Sequence, residues 1–357
     1  MSGKLILVIG GTGAQGIAVI DSLLAPSEDG APSPYRVRVL TRDPSNRRAK
    51  EFASRGIDCV QGSFDNLATV AAAFEGVYGA WVNTDSSTVG EQKEIYFGIK
   101  IFEAAKRARS LKHYVWSSLD YTNKKSNYNP DFEHIDHYNA KGVVADFMKA
   151  QESIVSESGM SWTVVTTGPY MDMLKIPFFG PLNKRADGTF VFATPVGEGH
   201  IPMIALEDLG FWARWTFDHR SESSGKDLEI ATQMVQMQEV VDTFTKVTGK
   251  PAVYKRLTID EWWGYFTNWD GPIARERKFG DGSTTVRENL SALLQQSRDD
   301  ILHRDMEWIR KTNPKGYTLE SWMRAHNYAG ELDLTLLKGF EDGKPLYALD
   351  PSKAALL

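Results

Sequence analysis

Three glycines near the start of the chain restrict its fold more than any other feature. Gly10, Gly13 and Gly16 follow an unbroken apolar run at residues 5–9 and precede a stretch of helical character. The run predicts a strand buried on both faces, and the glycine spacing is typical of a strand that turns sharply into a helix and binds a dinucleotide. An ordinary turn in a parallel sheet is the alternative. The dinucleotide interpretation assigns cofactor binding to Gly10, Thr12, Gly13, Ala14, Gln15 and Gly16.

Apolar runs and amphipathic stretches alternate through the first half of the chain. Predicted strands cover residues 35–40, 58–61, 79–83, 113–117 and 162–167. Predicted helices cover residues 44–54, 67–74 and 92–109. This alternation predicts an α/β protein with a doubly wound parallel sheet, the Rossmann fold.

The length of 357 residues favours a second, smaller lobe of α+β structure. The predicted Rossmann domain covers residues 1–168 with a returning segment at about 203–232. The predicted substrate or partner lobe covers residues 169–202 and 233–357, and within it residues 290–311 predict one long helix. The aromatic patch at residues 262–269 could be core of this lobe, the lining of a pocket for a flat ligand, or a partner surface.

The end of the second predicted strand indicates which dinucleotide is bound. An acidic residue there accepts hydrogen bonds from the ribose of NAD(H), whereas an arginine accommodates the 2′-phosphate of NADP(H). Thr41 and Arg42 occupy that position, which favours NADP(H). Beyond the third strand, Phe64 and Asp65 suit an adenine site, although a capped turn is the alternative. Additional phosphate contacts could come from Arg47, Arg48 and Lys50, of which at least two are expected to be solvated.

Polar residues follow the later predicted strands and are candidates for the nicotinamide side of the site. The carboxyl ends of parallel strands line the ligand crevice of such a sheet. Asn83 and Thr84 follow the fourth strand, and Ser117 ends the fifth. Tyr170 follows the sixth strand, where the chain enters the predicted second lobe.

A helix that begins near residue 137 carries the residues suited to chemistry. His137 and Lys141 are four residues apart and therefore share a helix face. A lysine there can hydrogen-bond the nicotinamide ribose or polarise a substrate carbonyl, and a histidine can donate a proton near neutral pH. Ordinary surface positions are the alternative for both. His134 and His137 have a spacing that suits a metal, but no third ligand accompanies them, so no metal site is expected.

These motifs together resemble the NmrA-like branch of the short-chain dehydrogenase/reductase superfamily. Residues 201–210 and 313–319 extend the resemblance over most of the chain. Classical members of the superfamily carry Tyr-x-x-x-Lys, in which the tyrosine is the general acid. Here His137 stands four residues before Lys141, so ordinary alcohol or ketone dehydrogenase chemistry is not expected.

Relatives that lack the tyrosine imply two different functions. Phenylcoumaran and isoflavone reductases use the lysine as the catalytic residue, and Lys141 matches it. NmrA-like regulators instead bind NADP(H) as redox sensors and signal to a protein partner without turnover. We predict an atypical reductase that moves a hydride from NADPH to an activated C=C, C=N or C=O bond of a bulky, aromatic small molecule. Lys141 would polarise the acceptor and His137 would supply the proton, and the redox sensor is the alternative.

Charge and hydropathy limit the classes of binding partner and the cellular locations that are expected for this chain. The formal net charge is -5 and no basic block occurs, so direct nucleic-acid binding is not expected. No apolar run reaches membrane-spanning length, and the first residues lack the layout of a signal peptide. The expected location is the cytoplasm, with the nucleus as a further possibility for a regulator. The oligomeric state stays open.

Overall fold

A computed structural model describes residues 3–334 and 345–357 of the chain. Its strands in chain order are β1 (Lys4–Ile9), β2 (Tyr35–Thr41), β3 (Asp58–Gln61), β4 (Gly79–Val82), β5 (His113–Ser118), β6 (Ser161–Thr166), β7 (Pro181–Lys184), β8 (Phe190–Thr194), β9 (Ile201–Met203), β10 (Asp227–Glu229), β11 (Gln233–Val235), β12 (Ala252–Arg256), β13 (Phe266–Thr267) and β14 (Ala348–Leu349). The predicted domains also include residues 1, 2 and 335–344, which lie outside the described residues.

Helices connect most of the strands. They are α1 (Ala14–Leu24), α2 (Arg47–Ser54), α3 (Leu67–Ala73), α4 (Ser86–Val89), α5 (Glu91–Arg107), α6 (Thr122–Lys125), α7 (Asp136–Lys149), α8 (Leu206–Asp218), α9 (Arg220–Ser223), α10 (Met237–Thr248), α11 (Ile259–Trp263), α12 (Val286–Arg298), α13 (Met306–Thr312), α14 (Leu319–Ala325) and α15 (Pro351–Ala354). Short 3-10 helices occupy Pro130–Phe132 and Met171–Lys175.

The described chain folds into two compact units. The first unit contains the described residues up to Tyr121, together with His137–Thr167 and Leu206–Glu229. Its seven strands form one sheet in the order β10-β6-β5-β4-β1-β2-β3, and all neighbouring pairs are parallel. This arrangement confirms the predicted doubly wound α/β fold.

Glycines allow the helices of the first unit to pack closely. A Cβ atom on Gly98 of α5 would lie 2.7 Å from the Val144 side chain of α7. A Cβ atom on Gly210 of α8 would lie 2.6 Å from the Ala18 carbonyl oxygen of α1. Both pairs of helices therefore approach at distances that only glycine permits, and the apolar strands lie buried beneath them.

The second unit contains Thr122–Asp136, Gly168–Ala205 and the described residues from Ile230 onward. It holds a three-stranded sheet in the order β12-β8-β7 and the strand pairs β11-β9 and β13-β14. Part of the aromatic patch belongs to the core of this unit: Trp262 and Trp263 are fully buried and pack on the buried Phe266, whereas Trp269 is half-buried. These two indoles are therefore not available to line a pocket or to form a partner surface.

The two compact units and the predicted domains do not have the same boundaries. Residues 122–136 cluster with the second unit, whereas the predicted boundaries place them in the Rossmann domain. They are held there by contacts such as the 2.9 Å hydrogen bond that Asn289 donates to the His134 carbonyl oxygen.

The single helix predicted at residues 290–311 is wrong, since α12 ends at Arg298 and α13 begins at Met306. Asp300 takes a left-handed conformation with φ of +48°, which ends the helix, and Asp305 caps the next one.

Among residues 3–334 and 345–357, no helix combines the length and the apolar character that crossing a bilayer requires.

Candidate functional site

The strand order of the large sheet creates a crevice at its carboxyl edge. The chain winds from β1 outward to β3 in one direction, and from β4 outward to β10 in the other. β1 and β4 are neighbours in the sheet. The backbone N–H of Asn83, just after β4, donates a 3.2 Å hydrogen bond to the carbonyl oxygen of Ile9 at the end of β1. Open α/β sheets bind their ligands at such a reversal point. The glycine-rich turn after β1 and the Asn83–Thr84 segment after β4 therefore line the same position.

The three motif glycines have different structural surroundings. Gly10 has a φ of +82°, and a Cβ atom there would lie 2.7 Å from the Asn83 carbonyl oxygen. A Cβ atom on Gly16 would lie 2.3 Å from the Gly10 carbonyl oxygen. A Cβ atom on Gly13 would meet one atom within 4 Å, the Gly10 carbonyl oxygen at 3.3 Å. The fold itself thus requires glycine at positions 10 and 16, whereas Gly13 keeps open space beside the turn.

The start of α1 faces this open space without a side-chain cap. Gly13 is the N-cap residue of the eleven-residue helix, and as a glycine it has no side chain to accept a hydrogen bond from the first turn. Free N–H groups and the helix dipole favour an anion at such a position. The next residues tie α1 to the sheet, because Ser117 on β5 donates a 2.6 Å hydrogen bond from its buried hydroxyl to the buried Gln15 amide oxygen. Ala14, between Gly13 and Gln15 in the sequence, is half-buried.

Arg48, one of the three basic residues that the sequence offers for additional phosphate contacts, reaches the glycine-rich turn from α2. Its side chain is buried, and its Nη1 donates a 2.7 Å hydrogen bond to the Thr12 carbonyl oxygen. Arg42 is exposed, as are Arg47 and Lys50 on α2. The helix face offers a signal for Arg48, since it lies beside Ala49 and Phe52 on the buried side of α2.

The other residues predicted for the adenosine side lie around the ends of β2 and β3. Thr41 is buried at the end of β2, and its hydroxyl donates a 3.3 Å hydrogen bond to the Asp43 carbonyl oxygen. Phe64 is partly buried and packs edge-on against Phe97, with ring centroids 6.4 Å apart. Asp65 is exposed.

Lys141 is the centre of the polar network at the ends of β4 and β5. Its Nζ donates to Asn83 Oδ1 at 2.9 Å, to the Thr84 carbonyl oxygen at 3.0 Å and to the Ser117 carbonyl oxygen at 3.4 Å. The structure thus brings together four residues that the sequence predicted separately. Lys141 is only 7% exposed, so these oxygens take the place of solvent around its ammonium group.

Glu94 completes this network, and sequence reasoning missed it. Its Oε1 lies 3.2 Å from Lys141 Nζ and accepts a 2.6 Å hydrogen bond from the Thr84 hydroxyl. The Glu94 side chain is fully buried. A signal existed in the sequence: residues 94, 98, 101, 102 and 105 recur at helical spacing, and the other four are small or apolar.

The structure does not place His137 among the hydrogen-bond partners of Lys141 Nζ in the described chain. His137 is half-buried one helical turn earlier, with its ring edge-on to Tyr138 at 4.9 Å. Tyr170 lies in the second unit, where it pairs with Ile204 and precedes the 3-10 helix Met171–Lys175. No group of three His, Cys, Asp or Glu side chains in the described ranges is arranged to hold a metal ion.

Sequence comparison identifies relatives of this chain. The sequence profile of the NmrA-like family matches residues 2–264. An NmrA-like family domain-containing oxidoreductase, malD of Malbranchea aurantiaca, is 28% identical over 272 residues, which cover 71% of this chain and 76% of the relative. A second, lnaB of Aspergillus flavus, is 27% identical over 264 residues, with the same shares covered.

Solved structures share the fold. NmrA, a negative transcriptional regulator solved in complex with NADP, superposes with a TM-score of 0.69 at 20% identity, covering 91% of this chain and 95% of NmrA. An NADPH-dependent quinone oxidoreductase of Escherichia coli, complexed with NADPH, gives a TM-score of 0.64 at 18% identity, covering 90% of this chain and 99% of the other.

Proposed function

This chain belongs to the NmrA-like family, and on that premise we propose that it is an atypical NADPH-dependent reductase. The observation that carries the proposal is the position of Lys141. Its ammonium group is gathered with Asn83, Thr84 and Ser117 at the carboxyl ends of β4 and β5, beside the reversal point of the sheet.

Several residues of the first unit suit the binding of a dinucleotide that carries a 2′-phosphate. The open space at Gly13 and the uncapped start of α1 suit a pyrophosphate. Arg42 follows β2 and is exposed, while Arg48 fixes the glycine-rich turn through Thr12. The two solved structures described above have this fold and hold NADP or NADPH. These features support NADP(H) as the cofactor, with Thr41, Phe64 and Asp65 on its adenosine side.

The chain's own residues would orient the reactants and move a proton. NADPH, when bound, supplies the hydride. Lys141 would donate one N–H to the oxygen or nitrogen of the acceptor, which it can do by exchanging its 3.4 Å contact with the Ser117 carbonyl. The imidazole of His137 would deliver the proton that completes the reduction. No tyrosine is needed in this scheme, because the ammonium group provides the polarisation.

The proposed substrate is a bulky, aromatic small molecule with an activated C=C, C=N or C=O bond. Its support is the resemblance to reductases that use the lysine without the tyrosine, together with the oxidoreductases among the relatives. Since Trp262 and Trp263 are buried in a core, recognition of the substrate would rest on other residues.

The test is a calorimetric titration with NADP⁺ and NADPH, followed by single-turnover oxidation of bound NADPH with a panel of aromatic enones, imines and ketones. Oxidation should disappear in Lys141→Met and persist in Lys149→Met. Lys149 lies on the same helix and pairs with Asp227 at 2.6 Å, so it serves as the matched control. If Lys141→Met still oxidises NADPH at the wild-type rate, the lysine has no catalytic role.

A redox-sensing regulator is the second candidate, and one observation favours it. The ammonium group of Lys141 has three protons and already has four protein oxygens within 3.4 Å. A site without catalytic turnover would retain this closed network, and the protein would act by binding a protein partner. Such a sensor must bind NADP⁺ and NADPH with different affinities, because equal affinities shift no equilibrium. Equal dissociation constants for the two forms would exclude it.

A further inference from the structure

The ammonium group of Lys141 is surrounded by oxygens of two kinds. Three of them are neutral, and they belong to Asn83, Thr84 and Ser117 at the strand ends. The fourth is Oε1 of Glu94, the one carboxylate within 4 Å of Nζ in the described chain. A buried ammonium group is costly unless a charge of opposite sign accompanies it. Glu94 therefore supplies the charge that allows Lys141 to stay at this edge of the sheet.

The carboxylate of Glu94 is itself held in one orientation. Its Oε1 accepts the 2.6 Å hydrogen bond from the Thr84 hydroxyl, and Thr84 also offers its carbonyl oxygen to Lys141. Its Oε2 is buried and has no hydrogen-bond partner among the described residues. All polar interactions of this side chain thus pass through the oxygen that faces the lysine, so the carboxylate does not serve as a helix cap or as part of another network.

Three separate elements fix the position of Nζ. Glu94 reaches it from α5, Asn83 and Thr84 from the segment after β4, and Ser117 from β5. The Trp116 ring lies beneath, with its centroid 5.2 Å from Nζ. Of these groups, Glu94 combines full burial with a full negative charge. Removing it would leave the ammonium group with neutral partners alone.

We propose that Glu94 is the positioning residue of this site, which holds the Lys141 ammonium group where it meets the nicotinamide half of the cofactor. The inference rests on the proposed binding of NADPH and adds a residue that acts through Lys141 without touching the ligand. It applies to the reductase and to the sensor alike, because both need the lysine in place.

Two ligands distinguish positioning from general damage to the fold. NADPH carries the nicotinamide half, whereas adenosine 2′,5′-bisphosphate carries only the adenosine half and its phosphates. We expect Glu94→Gln to weaken NADPH binding about tenfold, as the loss of one charged hydrogen bond does, and to leave adenosine 2′,5′-bisphosphate binding unchanged. Lys141→Met should behave in the same way. The double variant should lose no more than Lys141→Met alone, because both changes remove one interaction.

The control is Asp227→Asn, which breaks the ion pair with Lys149 in the same unit and should leave both affinities unchanged. The proposal is overturned if Glu94→Gln keeps wild-type affinity for NADPH, or if it weakens the binding of both ligands equally. It is also overturned if the double variant loses more NADPH affinity than Lys141→Met alone. A Lys141→Met variant with normal NADPH affinity overturns it as well. If the wild-type protein binds neither ligand, the proposed function itself fails, and the variants are not needed to show it.

Discussion

Replacing Gly13 with alanine separates the requirements of the ligand from those of the fold. The new Cβ atom would meet one protein atom, the Gly10 carbonyl oxygen at 3.3 Å, and the backbone φ of -81° suits any residue. Loss of glycine at an N-cap position costs up to about 1 kcal/mol of unfolding free energy. The same methyl group would occupy the space proposed for the pyrophosphate. We therefore expect a nearly normal stability and a dissociation constant for NADPH that rises at least tenfold, about 1.4 kcal/mol.

Gly16→Ala is the matched control for this change. Its Cβ atom would lie 2.3 Å from the Gly10 carbonyl oxygen and 2.5 Å from the Gly11 Cα. Both atoms are backbone, so no side chain can move aside, and we expect a loss of about 3 kcal/mol or more. Thermal unfolding measures the stabilities, and calorimetry measures the binding of NADPH. Wild-type NADPH affinity in Gly13→Ala would refute the assignment of the open space to the pyrophosphate. Wild-type stability in Gly16→Ala would refute the close approach of Gly16 to the backbone of Gly10 and Gly11.

Three further tests address other parts of the protein. Arg42→Ala should weaken NADPH binding about tenfold and spare NADH, whereas Arg48→Ala should weaken both by loosening the glycine-rich turn; calorimetry with both cofactors checks this. Burial raises the pKa of Asp136 from 3.8 to about 6, so its protonated form stabilises the fold at pH 4 and that contribution is lost as the pH rises through 6. Asp136→Asn should therefore raise the unfolding free energy by about 2 kcal/mol more at pH 8 than at pH 4, in urea titrations. The Glu94–Lys141 attraction at 3.2 Å is about 5 kcal/mol at an effective dielectric constant of 20, before desolvation is subtracted. Glu94→Gln and Lys141→Met should each lower the unfolding free energy by about 3–5 kcal/mol. If the double variant loses the sum of the two single losses, Glu94 and Lys141 do not interact directly.

Short-range patterns predicted most of the first unit. The run at residues 5–9 is apolar without interruption because both faces of a central parallel strand are covered, and β1 occupies it. The polar residues after β4 and β5 were predictable for a related reason: parallel strands end at a common edge, so residues distant in sequence meet there. Asn83, Thr84, Ser117 and Lys141 were therefore identified one at a time, and the fold assembled them.

The residues that were missed depend on contacts between distant segments. Glu94 is charged, and a charged residue in an amphipathic helix is normally assigned to the solvent face. Its burial follows from Lys141, 47 positions later in the sequence, and no local pattern contains both residues. The sequence offers Arg47, Arg48 and Lys50 alike as phosphate contacts, and the Thr12 carbonyl that Arg48 contacts lies 36 positions earlier. The break after α12 was missed because the helical spacing continues across it, while Asp300 takes a left-handed conformation just beyond the helix.

The way the chain passes between the two units affects the order in which it can fold during synthesis. The first unit needs α8, which packs on α1, and the edge strand β10, yet both follow the excursion at Gly168–Ala205. A nascent chain that has emerged only to Thr167 would expose the apolar face of α1 and the unpaired edge of β6. The large sheet can therefore be completed only after Glu229 has left the ribosome. A fragment that ends near residue 168 should consequently aggregate, even though it contains every residue of the proposed dinucleotide site except Tyr170.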